Sequence, residues 1–257
     1  MKTKFGLFIK CPHPEIIECL GYEKADFAVV DMEHTPVTQN TLYPLVLAAN
    51  LHSLDLIVRI PENKETYFKW CLDLGIKSIQ IPHIQTPYDV RMAVKYSNFS
   101  PLGDRGLCRF VRAANYSSLS KDEYISKSNE QNSLIFQIEG EAGVNNIDEI
   151  INELPANSRL FIGPYDLSQS LGIPGQIWDK KVVEKMSEII KKCKDNNIKI
   201  GTFTDSYEGL KYWTELELDF IEYASDLNVF MSGFKSAHSI VINAMKDKYM
   251  KFGNNYQ

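Results

Sequence analysis

Short apolar runs alternate with stretches of helical period from one end of the chain to the other, and this alternation restricts the available folds more than any other feature. The runs fall at 5–9, 26–33, 54–60, 77–84, 133–139, 159–166, 199–204 and 219–224. They are rich in Val, Ile and Phe, as expected of strands buried on both faces of a parallel sheet. Between the sixth and seventh runs, Val182, Val183, Met186, Ile189, Ile190 and Cys193 fall on one helical face. Eight strands, each followed by a helix, predict a single (β/α)8 barrel over 1–257, and 257 residues is the usual length of that fold. An open doubly wound sheet is the competitor. It would carry a glycine-rich turn after an early strand, and neither G-x-G-x-x-G nor a P-loop occurs.

Two segments exceed what a minimal barrel needs. The irregular stretch 101–118 precedes a short extra helix predicted at 121–131. Connections of that length are usually functional, and Arg105, Arg109 and Arg112 within it are read either as contacts for an anionic small molecule or as a solvated basic loop. The tail from Leu227 to Met250 reads as one long helix with apolar positions at Val229, Phe230, Phe234, Ala237, Ile240, Val241 and Met245. It is longer than barrel closure requires, which predicts packing against another subunit.

Composition narrows the function classes. A net charge of −5 argues against a nucleic-acid or anionic-membrane partner. The five cysteines are scattered without a C-x-x-C, the pattern of a reduced cytoplasmic protein rather than a disulfide framework or zinc site. No signal peptide fits the opening residues, and no apolar stretch is long enough for a membrane helix. A soluble protein acting on small molecules is the expectation.

Barrel chemistry sits at the C-terminal ends of the strands. The strand-ending positions hold Asp31, Glu33 and His34 after the second strand, Arg59 after the third, His83 and Gln85 after the fourth, Gln137 and Glu139 on the fifth, and Asp166 after the sixth. Glu139 and Asp166, with no cysteine and few histidines beside them, read as a hard oxygen site for Mg²⁺ or Mn²⁺ rather than zinc. The alternatives are a lysine pair for Glu139, or helix-capping roles for both. Gly163-Pro164-Tyr165-Asp166 leaves backbone N–H groups free at a helix start, a place for a carboxylate. His34, flanked by Asp31 and Glu33, reads as a general base or a structural histidine. Asp73 is the other candidate to orient it, or is simply polar in a last helical turn. Arg59 is either a structural ion pair or the stabiliser of a developing enolate oxygen. His83, Gln85 and Gln137 read as supporting or packing residues. His13, His52 and His238 carry no assignment, and Cys108 is a bystander. No strand-end lysine is identified for a Schiff base.

DMEHTP at 31–36, VRIPEN at 58–63, LDLGIKSIQIPHIQT at 72–86, PLGDRG at 101–106, FQIEG at 136–140 and FIGPYDLSQSLGIPGQ at 161–176 together resemble the HpcH/HpaI aldolase/citrate lyase family. Members include class II, pyruvate-dependent aldolases of 2-oxo-3-deoxy acids. The resemblance runs from about Gly6 to Asp226. It implies a barrel binding Mg²⁺, Mn²⁺ or Co²⁺ through Glu139 and Asp166, with Gln137 beside the metal. It implies a catalytic His34 working with Asp73, Arg59 on the pyruvyl oxygen, and a pyruvate carboxylate cradled by the backbone of Tyr165 and Asp166. It further implies a hexamer, a trimer of dimers exchanging the last helix. Two departures touch the pocket walls: Tyr165 stands where some members carry Ala, and Phe8 where some carry Trp. The segment before the sixth strand also lacks the Gly-x-Asp lead-in of many relatives.

The expected reaction is reversible aldol cleavage of a 2-oxo-4-hydroxy acid to pyruvate and an aldehyde. Decarboxylation of oxaloacetate, or another carbon–carbon lyase reaction, would use the same enolate chemistry. A catalytically silent assembly barrel is the reading from outside enzymology.

Overall fold

The computed structural model describes residues 3–253, with side chains described through Met245. Strands β1 (Lys4–Ile9), β2 (Phe27–Asp31), β3 (Asp55–Arg59), β4 (Ser78–Ile81), β5 (Ser133–Ile138), β6 (Arg159–Ile162), β7 (Lys199–Thr204) and β8 (Phe220–Ser225) pair in parallel, in chain order. β8 returns to β1, so the sheet closes and the open-sheet competitor is excluded. Helices α1 (Pro14–Tyr22), α2 (Gln39–Leu51), α3 (Glu65–Asp73) and α4 (Pro87–Ser97) follow the first four strands. After these come α5 (Lys121–Gln131), α6 (Glu141–Asn145), α7 (Ile147–Glu153), α8 (Pro164–Ser170), α9 (Lys180–Asp195), α10 (Tyr207–Glu215) and α11 (Asp226–Gly253).

Every apolar run coincides with a strand, but five of the strands, β2 to β6, stop before the run does. The sixth ends at Ile162 because Pro164, with its φ fixed for a helix, opens α8 two residues later. Asp166 therefore lies in the first turn of α8, whose N-cap is Gly163, and the N-cap reading of Asp166 is not met.

Two apolar shells hold the barrel. The outer one fills the space between strands and helices. There α9 buries Val182, Met186, Ile189, Ile190 and Cys193, with Asp179 as its N-cap. Each such aliphatic side chain stabilises by roughly 1.5–3 kcal/mol. The inner shell is small: Phe8, Phe27, Val29, Ile57, Ile135, Phe161 and Phe220 meet inside the cylinder. Gly6 makes room for this packing, since a Cβ there would lie 2.2 Å from the Phe27 ring. Above and below this plug the inward positions turn polar, giving the barrel a rim at the strand C-termini and a floor at the N-termini.

The 101–118 connection joins the end of α4 to α5 and the start of β5, and so lies on the floor side. Its arginines are occupied. Arg105 donates to Asp73 at 2.8 Å, to Ser128 at 3.0 Å and to the Tyr124 hydroxyl at 3.1 Å, while lying 4.5 Å from the centre of the Phe99 ring. Arg109 donates to the carbonyls of Ser117 and Leu119, and Arg112 to that of Leu74. Arg105 and Arg112 thus tie the connection to α3, α5 and the turn after α3, while Arg109 braces the connection itself.

α11 leaves the body as expected. From Leu227 to Met245 every side chain is exposed, including Phe230 at 66% and Phe234 at 62%. Its root is fixed by Asp226, whose carboxylate accepts from the backbone N–H groups of Lys10, Cys11 and Leu227 at 2.8–2.9 Å. No helix among the described residues is long and apolar enough to cross a membrane.

Candidate active site

A cavity of about 440 Å³ opens at the rim, and His34, Arg59, Gln137, Gly163, Tyr165 and Asp166 all line it. A larger cavity of about 680 Å³ lies at the floor around Arg159, Asp55 and Asp219. Volume alone favours the floor, but the acids, bases and amides expected to do chemistry gather at the rim.

Register explains much of that gathering. Asp31 and Arg59 are cross-strand partners on β2 and β3, and Arg59 is paired in turn with Gln80 on β4. The Arg59 guanidinium grips Asp31 with two bonds, Nε to Oδ1 at 3.0 Å and NH2 to Oδ2 at 2.9 Å. Lys10 Nζ bonds the same carboxylate. Burial pushes the Asp31 carboxyl up, but the bonds and charges of Arg59 and Lys10 outweigh it and hold it at about 2. Arg59 also lies 4.8 Å from the centre of the Phe8 ring and 3.2 Å, through NH1, from Glu33 Oε2. Both readings of Arg59 are thus compatible with its geometry: it is an ion pair, and it faces the cavity.

Glu139 is in a different situation. It is 3% exposed, and among the described residues no lysine or arginine pairs with it. Its Oε1 accepts from the His83 backbone N–H at 2.8 Å and its Oε2 from the Gln137 amide. Gln137 is fixed from below by Gln80, whose amide donates to it at 2.8 Å and reaches buried Glu222 at 3.4 Å. Burial raises the Glu139 carboxyl above its ordinary range, as it does that of Glu33. Gly163 closes over this carboxylate; a Cβ on Gly163 would lie 2.8 Å from Glu139 Oε2. Neither the lysine pair nor the capping role considered for Glu139 is present, since Gly140 caps α6.

The imidazole of His83 occupies the gap between the two acids, with Nδ1 3.1 Å from Glu139 Oε1 and Nε2 3.3 Å from Glu33 Oε1. Glu33, His83 and Glu139 each offer a ligand atom within 4.8 Å of the others, the one such group among the described residues. Asp166 is exposed on the cavity wall outside that group, and its charge is felt at Glu33. The donor set fits a divalent cation: the buried carboxylate of Glu139, the half-buried one of Glu33, an exposed imidazole, and a backbone at Gly163 that comes close without a side chain.

His34 faces the cavity with its side chain 59% exposed, and Glu33 Oε2 lies 3.8 Å from its Nε2. Asp73 is not brought to it within the chain. α3 runs back from rim to floor, so its last residue ends at the opposite side of the barrel, bound to Arg105. Tyr165 donates to Asp205 at 3.0 Å and packs against Phe203.

Three rim residues escape the sequence reading. Lys10 and Asp205 each stand one place after a strand, β1 and β7, where a search of every strand end would have found them. Lys10 is a lysine at a strand end, and its Nζ is engaged by the Asp31 carboxylate. His83, read as packing, lies at φ 56°, and this left-handed turn brings its ring over Glu139.

A closed (β/α)8 barrel with buried acids, a histidine and a clamped arginine around one rim cavity defines an enzyme, and its relatives specify a carbon–carbon lyase. The chain belongs to the HpcH/HpaI aldolase/citrate lyase family, which it matches over residues 4–232. It is 30% identical over 227 residues to 2-dehydro-3,6-dideoxy-6-sulfogluconate aldolase of Pseudomonas putida, covering 88% of each chain. To 5-keto-4-deoxy-D-glucarate aldolase of Salmonella arizonae it is 28% identical over 232 residues, 90% of each. Its fold superposes with a TM-score of 0.88 on a family member from Burkholderia cenocepacia J2315, at 27% identity over 93% of this chain and 95% of that one. Against citrate synthase SbnG the TM-score is 0.83, with 25% identity over 95% of each.

Proposed function

We propose that the chain catalyses the divalent-metal-dependent, reversible cleavage of a 2-oxo-4-hydroxy (3-deoxy) acid to pyruvate and an aldehyde. The observation that carries this reading is Glu139: a buried carboxylate, held open by Gln137 and Gly163, with no permanent cation beside it. Glu139 and Asp166 would hold Mg²⁺, Mn²⁺ or Co²⁺, and Gln137 steadies Glu139. Such an ion draws electron density from a chelated 2-oxo acid and so acidifies its C3 protons.

The chain's own groups do the rest. The backbone of Gly163, Tyr165 and Asp166 faces the substrate carboxylate. His34 takes the proton of the 4-hydroxyl as the C3–C4 bond breaks, and the bonding pair passes into the pyruvyl fragment. Arg59 donates to the oxygen where that charge collects; Asp31 locks its planar group in place, so no reorganisation is needed as charge develops. Within one chain the carboxylate beside His34 is Glu33. Asp73 enters only where a neighbouring copy presents it, which accords with the projecting apolar α11 as a contact between copies in a homo-oligomer such as a trimer of dimers. A reducing compartment, the cytoplasm, suits five free cysteines.

The test is a screen of pyruvate with a panel of aldehydes, and of oxaloacetate alone, with and without EDTA, alongside borohydride trapping. EDTA-sensitive aldol turnover and no trapped pyruvate adduct are expected. EDTA-insensitive turnover with trapping on Lys10 would replace this mechanism by an imine one, and turnover of oxaloacetate alone would assign a decarboxylase.

A further inference from the structure

We propose that the floor of the barrel is a second binding site, for a phosphoryl oxyanion, free or carried by a small ester, in the cavity of about 680 Å³ around Arg159. It lies at the opposite end of the cylinder from the rim and does not depend on the reaction proposed there.

Alternation along the strands decides what faces this cavity. On β1, β6 and β7 the residues that pack inside the cylinder are Phe8, Phe161 and Phe203. Even steps back along the same strands reach Lys4, Arg159 and Lys199, which therefore also face inward, at the strand starts. Asp55, Ser78 and Ser133 fill the same layer on β3, β4 and β5. The inward layers of such a barrel are ordinarily packed solid with branched apolar side chains. Here the lowest layer encloses space, and it holds three cations, two hydroxyls and one acid.

Those cations are not neutralised from within. Arg159 and Lys199 are cross-strand partners, so two like charges stand side by side on one face of the sheet. That arrangement is unfavourable until something negative comes between them. Asp55 accepts from the Ser78 hydroxyl at 3.2 Å, and Asp219, the other acid on the cavity wall, accepts from the Ile200 backbone N–H at 2.9 Å. Among the described residues neither acid forms an ion pair with Lys4, Arg159 or Lys199. The guanidinium is held in place but only partly used. Its NH2 donates to Ser78 and Ser133 at 3.2 Å and the Phe220 ring lies 5.5 Å away, while Nε is buried without a partner and NH1 meets no acceptor among the described residues.

A phosphoryl group, with about two negative charges, matches this set. Guanidinium N–H groups take its oxygens in charge-assisted bonds, and the two ammonium groups add point charge around it. A single carboxylate would bring one charge to three cations. The cavity exceeds what phosphate fills, and Asn152 and Asn197 on its wall offer amides to the hydroxyl groups of an ester.

The experiment titrates the full-length protein with inorganic phosphate, glycerol 3-phosphate and citrate by calorimetry, in the wild type, in Arg159→Gln and in Lys199→Gln. Lys199 is exposed, so its variant decides the matter even where Arg159→Gln fails to fold. A phosphoryl probe is expected to bind, with affinity falling about tenfold or more in Arg159→Gln and about threefold or more in Lys199→Gln. Added NaCl should weaken it. Tighter binding of glycerol 3-phosphate than of phosphate assigns the site to an ester, and equal affinity assigns it to free phosphate. Absence of phosphoryl binding overturns the proposal, as does tighter binding of citrate. So does an affinity unchanged in both variants, which would put the anion at the rim, where backbone N–H groups also face an oxyanion.

Discussion

Each end of the barrel holds an inward arginine, buried at the rim and half-buried at the floor, and the two are treated differently. At the floor, Arg159 lies 5.5 Å from the centre of the Phe220 ring and donates to the hydroxyls of Ser78 and Ser133 at 3.2 Å; among the described residues no carboxylate pairs with it. Burial pushes its guanidinium below its ordinary value. At the rim, Arg59 is gripped by Asp31 and touched by Glu33, and although burial works against it, those acids push it up. Five carboxylates (Asp31, Glu33, Glu139, Asp166 and Asp205) stand around the rim, and among the described residues Lys10 and Arg59 are the lysine and arginine there. At the floor Arg159 meets hydroxyls and a ring face, with the charge of Asp55 nearby. The rim is left with uncompensated negative charge at Glu139, which is what a cation site requires.

That contrast can be broken by substitution. Glu139→Ala should remove the metal-dependent turnover almost entirely, by about 10³-fold, since a bound ion contributes several kcal/mol to stabilising the charge that develops. Residual activity within tenfold of wild type, in a steady-state assay of pyruvate release, would remove Glu139 from the site. His34→Ala should lower turnover by about 10²-fold with the ion still bound, the scale of a general base; retained turnover would leave His34 as a wall of the cavity.

The floor gives the opposite expectation. Arg159→Met should cost about 1–3 kcal/mol in urea unfolding, for the hydroxyl partners it strands. Turnover should stay within about threefold of wild type, because no floor residue takes part in the chemistry proposed for the rim. A large loss of activity in a folded Arg159→Met protein would mean that the two ends are coupled.

The last effect is one of pH and concerns Glu222, buried between the two ends. Burial raises its carboxyl to about 8, incompletely offset by the Arg59 charge, the Gln80 hydrogen bond and the Arg159 charge. The folded state therefore holds a proton that the unfolded chain has released, across the window from its ordinary 4.5 up to about 8. Stability accordingly falls as pH rises through that window, by at most about 1.4 kcal/mol per pH unit. Glu222→Gln keeps the acceptor for Gln80 and should flatten that slope in urea midpoints measured from pH 5 to 9. Parallel slopes in the two proteins would mean that Glu222 is ionised when folded.

The barrel was legible because its evidence recurs: eight runs rich in β-branched and aromatic residues, each followed by a stretch of helical period. His34, Arg59, Gln137 and Asp166 could be listed for the same reason, since strand-end position alone brings a residue to the rim. What could not be read was pairing across the barrel. Nothing near position 83 in sequence announces that a left-handed residue after Pro82 lays an imidazole between acids from β5 and the loop after β2. Asp73 shows the converse. Its motif is intact, yet the direction of α3 carries it to the other end of the cylinder, a fact of topology rather than of spacing. Glu222 sits inside a run that otherwise reads as apolar, where its inward direction is set by alternation on β8 and its cost appears only once the barrel has closed.

The Asp226 carboxylate fastens the root of α11 and the main chain at Lys10 to a single pivot. The tilt of the protruding helix and the seating of the Lys10 ammonium on Asp31 therefore share one hinge pin. A neighbouring molecule that leaned on the distal turns of that helix would have to strain these bonds before the rod could swing.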